Sequence, residues 1–248
     1  MELAYHGGSY HGWQIQDNAL SVQAVVEEWL EKIAGERIPL TASGRTDAGV
    51  HAECQVVHAD LSEPVDTAGL MYKLNAVLPR DIAVKSIVKT IPEAHARFSA
   101  ESRSYCYKIH RRKDPFLEGL SCLILGHIDI EKMNEACRLL IGERDFASFS
   151  KVKTAVSHFR CNIMEAYWLE EKERCFFKIT ANRFLRGMVR AIVGAMLDIG
   201  GGKISVADFA AIIESRDRRE AGKAAPPCGL YLSGVKYPKH IFINSQSE

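Results

Sequence analysis

Ser21-Val22-Gln23-Ala24-Val25-Val26-Glu27-Glu28-Trp29-Leu30-Glu31-Lys32-Ile33-Ala34-Gly35 reads as one amphipathic helix with both ends marked. Ser21 offers a side-chain oxygen to the first free N–H groups, and Gly35 tolerates the left-handed backbone that closes a helix. Val22, Val25, Val26, Trp29, Leu30 and Ile33 recur at helical spacing and form one apolar face. Glu27 and Glu31 read as solvated charge. A short strand is predicted before the helix, over residues 2–5. After it come a strand near 37–43, a polar loop at 44–51 and a strand near 54–60. Asp66 can cap a second helix through about Leu78, with Leu70, Leu74 and Val77 inward, and Ile82 to Ile91 reads as a strand. The order is β-α-β-β-α-β, the split-βαβ arrangement of ferredoxin-like folds.

The second half repeats the order. A strand runs from about Ser102 to Ile109. A helix near 131–141 packs through Met133, Cys137 and Leu140 and ends at Gly142. Two strands, near 157–170 and 175–181, are joined by Glu171-Lys172-Glu173-Arg174. A helix over about 184–199 ends at Gly200-Gly201-Gly202, an added helix near 205–215 is capped by Ser205, and Leu230 to Lys236 gives the last strand. The polar tail 237–248 is expected to be mobile. These readings predict an α+β protein with two ferredoxin-like halves, residues 1–100 and 101–248. Joined edge to edge, the halves would make one antiparallel sheet with helices on one face and a central cleft, hiding an exposed strand edge on each.

The chain has 248 residues, 47% hydrophobic and 25% charged, with a net charge of +1. That balance excludes wholesale disorder and leaves a nucleic-acid partner open, since the placement of charge decides it. No apolar run approaches a membrane span and no secretory leader is visible, so a cytoplasmic protein is expected. The 7 cysteines are scattered without a C-x-x-C pair, which supports neither a disulfide framework nor a zinc site. His6, His11, His51 and His58 lack any metal-ligand grouping, and His51 and His58 read as core or loop hydrogen-bonders. No phosphate-binding glycine loop appears, so no nucleotide cofactor is expected.

Three stretches carry chemistry. Ser43-Gly44-Arg45-Thr46-Asp47-Ala48-Gly49-Val50-His51 joins two core strands and is longer and more polar than most hairpin connections. It reads either as a turn with a solvated Arg45 and an Asp47 bonded to its own backbone, or as a rigidly held carboxylate beside a guanidinium, placed as a nucleophile or base. Arg97 to Lys113 holds six basic residues, with Tyr105 and Tyr107 interleaved. Such aromatics can stack bases while the cations hold phosphates. Tyr107 reads as core, whereas Tyr105 fits core and base-stacking equally. Arg183, Arg186 and Arg190 are spaced to share one face at a helix N-terminus, where positive charge is unfavourable. They read either as a solvated face or, given that unfavourable placement on an otherwise apolar helix, as cations for anionic partners such as phosphates or a buried carboxylate.

With these motifs in view, the chain resembles the tRNA pseudouridine synthase A family over nearly its whole length. Tyr5-His6-Gly7-Gly8-Ser9-Tyr10-His11-Gly12-Trp13-Gln14-Ile15-Gln16 is similar to the family's opening motif, with His6 where Asp is common. Gly44 to Ala52 is similar to its catalytic loop, Asn75 with Leu78-Pro79 to its N-x-x-L-P, and His95-Ala96-Arg97-Phe98-Ser99-Ala100 with Arg103 and Tyr105 to its H-A-R-F segment. Phe184 to Arg190 and Gly229-Leu230-Tyr231-Leu232 are similar to two C-terminal motifs. The resemblance implies two ferredoxin-like halves, a homodimer, and cofactor-free conversion of uridine to pseudouridine at positions 38, 39 and 40 of the tRNA anticodon stem-loop. It implies Asp47 as the catalytic residue, Tyr105 stacked beside the target base, Arg190 as partner of Asp47, and Arg45 as an aid to nucleotide flipping. Attack on C1′, addition to C6 and abstraction of a sugar proton all remain open as the role of Asp47. Two rivals use the same residues otherwise. A non-catalytic RNA-binding protein would not need the Asp47 loop, and a hydrolase using Asp47 with His51 would call for a ligand cluster the sequence lacks.

Overall fold

The computed structural model describes residues 1–61, 65–151 and 157–243. The chain divides into two compact units, one of Met1–Glu101 with Leu232 onward, the other of Ser102–Tyr231. The first unit begins β1 (Glu2–Tyr5), α1 (Val22–Ala34), β2 (Thr41–Ala42), β3 (His51–His58), α2 (Thr67–Val77), β4 (Ile82–Ser86). The second carries β5 (Ser102–His110), β6 (Cys122–Leu123), α3 (Ile130–Arg138), β7 (Gly142–Asp145), β8 (Arg160–Glu171), β9 (Arg174–Ala181), α4 (Met188–Gly200) and α5 (Val206–Ser215). The last strand, β10 (Leu230–Lys236), starts in the second unit and runs into the first. Helices and mostly antiparallel strands make the fold α+β.

In the first unit β1 is central, with Leu3 opposite Gln55 of β3 on one side and Val84 of β4 on the other. β2 pairs with the far end of β3, Thr41 opposite His58. The order β4-β1-β3-β2 is that of the split-βαβ unit. Alternation along β1 buries Leu3 and Tyr5, and the core closes with Val57, Val84, Val26, Leu30 and Leu74. Each such side chain contributes about 1.5–3 kcal/mol by leaving water. α1 has the expected ends: Ser21 Oγ accepts from Ala24 N–H, and Gly35 adopts φ +78°.

The second unit orders its strands β5-β9-β8-β7, with the short β6 parallel to β5. Tyr107 and Trp168 both lie opposite Phe177 across β9. The β8–β9 turn places Lys172 at φ +58°. α4 is almost wholly buried, and its Gly200 lies so close to α3 that a Cβ there would sit 2.5 Å from Met133 Sδ. Ser205 and Asp208 form a reciprocal capping box on α5.

One device recurs. Asn75 on α2 donates through Nδ2 to Val84 C=O and accepts Val84 N–H through Oδ1, both at 2.8 Å. Asn134 on α3 does the same to Trp168, at 3.1 and 2.8 Å. Val84 lies on the edge strand β4, and Trp168 lies on β8 beyond the reach of β7, which ends its pairing at Ile163. In both places a side-chain amide substitutes for a neighbouring strand.

Several expectations are corrected. The strand near 37–43 shrinks to β2, because Glu27 Oε1 accepts Leu40 N–H at 2.8 Å and Gln23 Nε2 donates to Leu40 C=O at 3.0 Å. Glu27 is therefore a backbone anchor rather than solvated charge. β4 stops at Ser86, and the chain beyond it turns to residues 241–243: Ile91 N–H donates to Ile241 C=O, and Ile243 N–H to Lys89 C=O. That part of the tail is held, with Ile241 buried; residues 244–248 lie outside the described residues. α3 ends at Arg138, and Gly142 at φ +94° opens the unexpected β7. α4 begins at Met188 because Gly187 takes φ +73°, so Arg183 and Arg186 precede the helix and do not share a helix face with Arg190.

Candidate active site

Asp47 lies half-buried in the loop between β2 and β3, and Arg45 is exposed two residues before it. The loop is pinned at its base. Ser43 Oγ donates to Gln55 Oε1 at 2.8 Å, and Gln55 Nε2 donates to Gly44 C=O at 2.9 Å, with both Ser43 and Gln55 buried. Thr46, also buried, shares a hydrogen bond with the Tyr5 hydroxyl at 2.8 Å.

The segment after β1 forms a seat for this loop. Gly49 N–H donates to Tyr10 C=O at 3.1 Å and Trp13 N–H to Thr46 C=O at 3.4 Å. Gly7 N–H donates to Nδ1 of buried His51 at 3.0 Å, which leaves the ring's other nitrogen to carry its proton when neutral. Two glycines are required by proximity: a Cβ at Gly7 would lie 2.0 Å from Val50 C=O, and one at Gly12 would lie 2.3 Å from Thr46 C=O. The Tyr10 hydroxyl donates to Asp81 Oδ1 at 2.8 Å, and burial followed by that carboxylate pushes the phenol upward. Backbone on both sides of Asp47 is thus fixed, and its carboxylate is carried on a rigid support. The sequence marks the loop and the motif at residues 5–16 separately, and only the fold shows that Gly7, Tyr10 and Gly12 seat the loop at Thr46, Gly49 and Val50. The signal was present in the glycines and aromatics packed into residues 5–13.

In the second unit Tyr105 is half-buried on β5, its ring edge-on to Phe184 at 5.1 Å. Tyr107 is fully buried, as expected of core, and its hydroxyl donates to Pro226 C=O at 2.8 Å. Arg190 sits in the first turn of α4, where its Nε–H donates to Ala225 C=O at 2.8 Å while Ala225 N–H donates to Arg190 C=O. Gly194, one turn on, allows this close approach, since a Cβ there would lie 2.0 Å from Lys223 C=O. Arg190 and Tyr107 thereby hold the segment at residues 223–226 against α4 and β5.

The basic run from Arg97 to Lys113 is not one open cationic face. Arg111 pairs with Glu170 at 2.9 Å and donates to Gly126 C=O, and Arg112 pairs with Glu173 at 3.2 Å. Arg103 donates to Asn182 C=O, and Lys108 lies 3.6 Å from the Tyr231 ring centroid. His58 accepts Ala96 N–H through Nδ1 at 3.0 Å, so it is the loop hydrogen-bonder expected of it. No group of three metal-ligating side chains occurs among the described residues. The cysteines are free, and burial pushes the Cys137 thiol up to about 12. A cavity of about 500 Å³ in the first unit is lined by Val57, Leu70, Ile91 and Tyr237 among others, and does not include the Asp47 loop. No helix among the described residues is long and apolar enough to cross a membrane.

Comparison with known proteins gives this loop its context. The sequence matches the family described as tRNA pseudouridine synthase over residues 3–99 and 136–238. It is 49% identical over 245 residues to the tRNA pseudouridine synthase A of Porphyromonas gingivalis, covering 97% of each chain. It is 46% identical over 241 residues to that of Parabacteroides distasonis, covering 97% of this chain and 96% of the relative. A chain in the crystal structure of a Cbf5-Nop10-Gar1 complex is a weak likeness, with TM-score 0.31 and 13% identity over 80% of this chain and 54% of that one. On the extent of the family match and the near-complete coverage of these relatives, the chain belongs to the tRNA pseudouridine synthase family, a family of isomerases.

Proposed function

We propose that this chain isomerises uridine to pseudouridine at positions 38, 39 and 40 of the tRNA anticodon stem-loop. The observation that carries the reading is family membership across nearly the whole chain, joined to a carboxylate, Asp47, on a loop fixed from both sides by Gly12 and Tyr10. Uridine in a stem must leave the stack before its glycosidic bond can be reached. The N1–C1′ bond breaks, the uracil turns, C5 bonds to C1′, and the C5 proton is lost as N1 gains one. Atoms and charge balance without a redox partner or a triphosphate.

In this reading Asp47 is the catalytic residue, and Tyr105, Arg190 and Arg45 bind substrate. A fixed carboxylate suits each of the three routes, because attack on C1′, addition to C6 and removal of a sugar proton all need a negative oxygen at a set place. The half-buried ring of Tyr105 is suited to stack on the displaced base. The enzyme works in the cytoplasm as a homodimer, with paired protomers extending the cationic surface that a protomer of net charge +1 provides.

Release of tritium from C5-labelled uridine in a tRNA transcript, with EDTA present, tests the activity. The synthase releases label at the three positions and forms pseudouridine there. A binding protein or a metal-dependent hydrolase releases none, and that result would overturn the reading. Light scattering that gives a monomer mass at working concentration would overturn the dimer.

A further inference from the structure

The turn at residues 95–99 is held by a dense set of hydrogen bonds while Arg97 and Phe98 at its tip stay exposed. His95 Nδ1 accepts from Arg97 N–H at 3.0 Å and from Phe98 N–H at 3.2 Å. Ser99 N–H donates to His95 C=O at 2.9 Å, and Ser99 Oγ accepts His95 N–H at 3.0 Å. Ala96 is gripped from two sides: its N–H donates to His58 Nδ1 at 3.0 Å, and its C=O accepts from the Tyr237 hydroxyl at 2.5 Å. The rings of His58, His95 and Phe98 follow one another at 4.7 and 4.3 Å.

What this turn holds out is an aromatic ring beside a cation. Phe98 is 77% exposed. Arg97 is exposed too, with its guanidinium carbon 5.6 Å from the Phe98 ring centroid. A single exposed aromatic is ordinary. Here the backbone of both residues is fixed by the same imidazole, which also packs on the ring, and none of those bonds removes the ring from water.

We propose that Arg97 and Phe98 form a nucleotide-binding subsite for the RNA, with Phe98 stacked on an unpaired base and Arg97 on the adjoining phosphate. The proposal rests on the reading of this chain as a tRNA-modifying enzyme. A π-face with a guanidinium at its side matches the two parts of a nucleotide, one flat and one anionic. A stable protein interface buries roughly 800 Å² per partner, of which this ring and cation would supply only a small part, whereas they supply both parts that a single nucleotide needs. Preorganisation also matters: with the turn already fixed, little ordering is left to oppose binding.

Binding of a tRNA transcript to the full chain by fluorescence anisotropy, beside tritium-release kinetics, tests this. Phe98→Ala is expected to raise Kd about 5- to 150-fold, the range spanned by stacking of one base. Phe98→Trp should restore binding, while Phe98→Leu, apolar but without a π-face, should behave like Phe98→Ala. Arg97→Gln should lower the log–log salt slope by about 0.7–0.9. KM carries the loss and kcat at saturating RNA stays. Wild-type affinity in both Phe98→Ala and Phe98→Leu overturns the subsite. So does a change of oligomeric mass in Phe98→Ala at unchanged RNA affinity, which would assign the ring to a protein contact. A wild-type chain that forms pseudouridine keeps the enzymatic reading however the variants behave; one that neither binds nor modifies tRNA overturns both.

Discussion

Gly12 approaches Thr46 so closely that a first side-chain carbon at residue 12 would lie 2.3 Å from the Thr46 carbonyl oxygen. Gly12 also sits at φ +89°, where L side chains are strained. Thr46 immediately precedes Asp47, so this contact sets the level at which the carboxylate is carried. Gly12→Ala is therefore expected to displace the loop, lowering stability by about 1–3 kcal/mol and kcat more than ten-fold. Gly35→Ala provides the control: it has a similar φ of +78° with nothing within 4 Å. It should lose about 1–2 kcal/mol of stability with kcat per folded molecule unchanged. Urea unfolding and turnover on both variants check this, and native kcat in Gly12→Ala would show that the loop is positioned elsewhere.

Asp47→Asn separates chemistry from structure. Asn keeps the size of the side chain and much of its hydrogen bonding, so folding should be retained. It offers no negative oxygen to C1′ or C6 and no base for a sugar proton, so pseudouridine formation should be undetectable. RNA affinity should hold or rise slightly as a negative charge is removed. Substantial turnover, with deamidation back to Asp excluded by mass, would falsify the assignment of Asp47.

The two tyrosines of β5 should part company. Tyr105→Ala is expected to weaken tRNA binding by about 1–3 kcal/mol, and Tyr105→Phe to retain most of it, since the ring does the stacking. Tyr107→Phe removes the hydroxyl from Pro226 C=O, at a cost of about 1 kcal/mol in stability with RNA affinity unchanged. Unaltered binding by Tyr105→Ala would put its ring outside the site.

Acid should loosen the first unit through His58. Burial, followed by the neighbouring His95, holds the His58 imidazole below its ordinary value of 6.5. Its Nδ1 accepts Ala96 N–H, a bond that protonation at Nδ1 removes. Below pH 6.5 the unfolded chain takes up a proton that the folded chain resists. Stability from this group is thus present above 6.5 and is lost as pH falls toward the folded value. Melting temperatures between pH 8 and pH 5.5 should drop less in His58→Asn than in wild type, and equal slopes would remove His58 from the account.

How much of this was legible in sequence follows from the range of each signal. The ends of α1 and α2 were readable because their caps, Ser21, Gly35 and Asp66, act within one turn. The Asp47 loop was readable from its length and polarity. Its seat was not, because Gly7, Tyr10 and Gly12 meet it only after the chain has passed through α1 and β2. Residues 37–40 look like strand, yet Glu27 and Gln23 take the backbone groups of Leu40 that a strand partner would use. The start of α4 is hidden for a different reason: the apolar spacing runs unbroken through Gly187, and spacing carries no information on the sign of φ.

Asn75 and Asn134 have a consequence for how this chain behaves in company. Where each one sits, a strand edge that could accept another molecule's strand meets an amide instead. A carboxylate of the same shape has no donor, and would set an acceptor against the Val84 or Trp168 carbonyl. Loss of either amide is expected to leave the backbone N–H and C=O of Val84 or Trp168 without this partner, at places in the chain separate from the Asp47 loop.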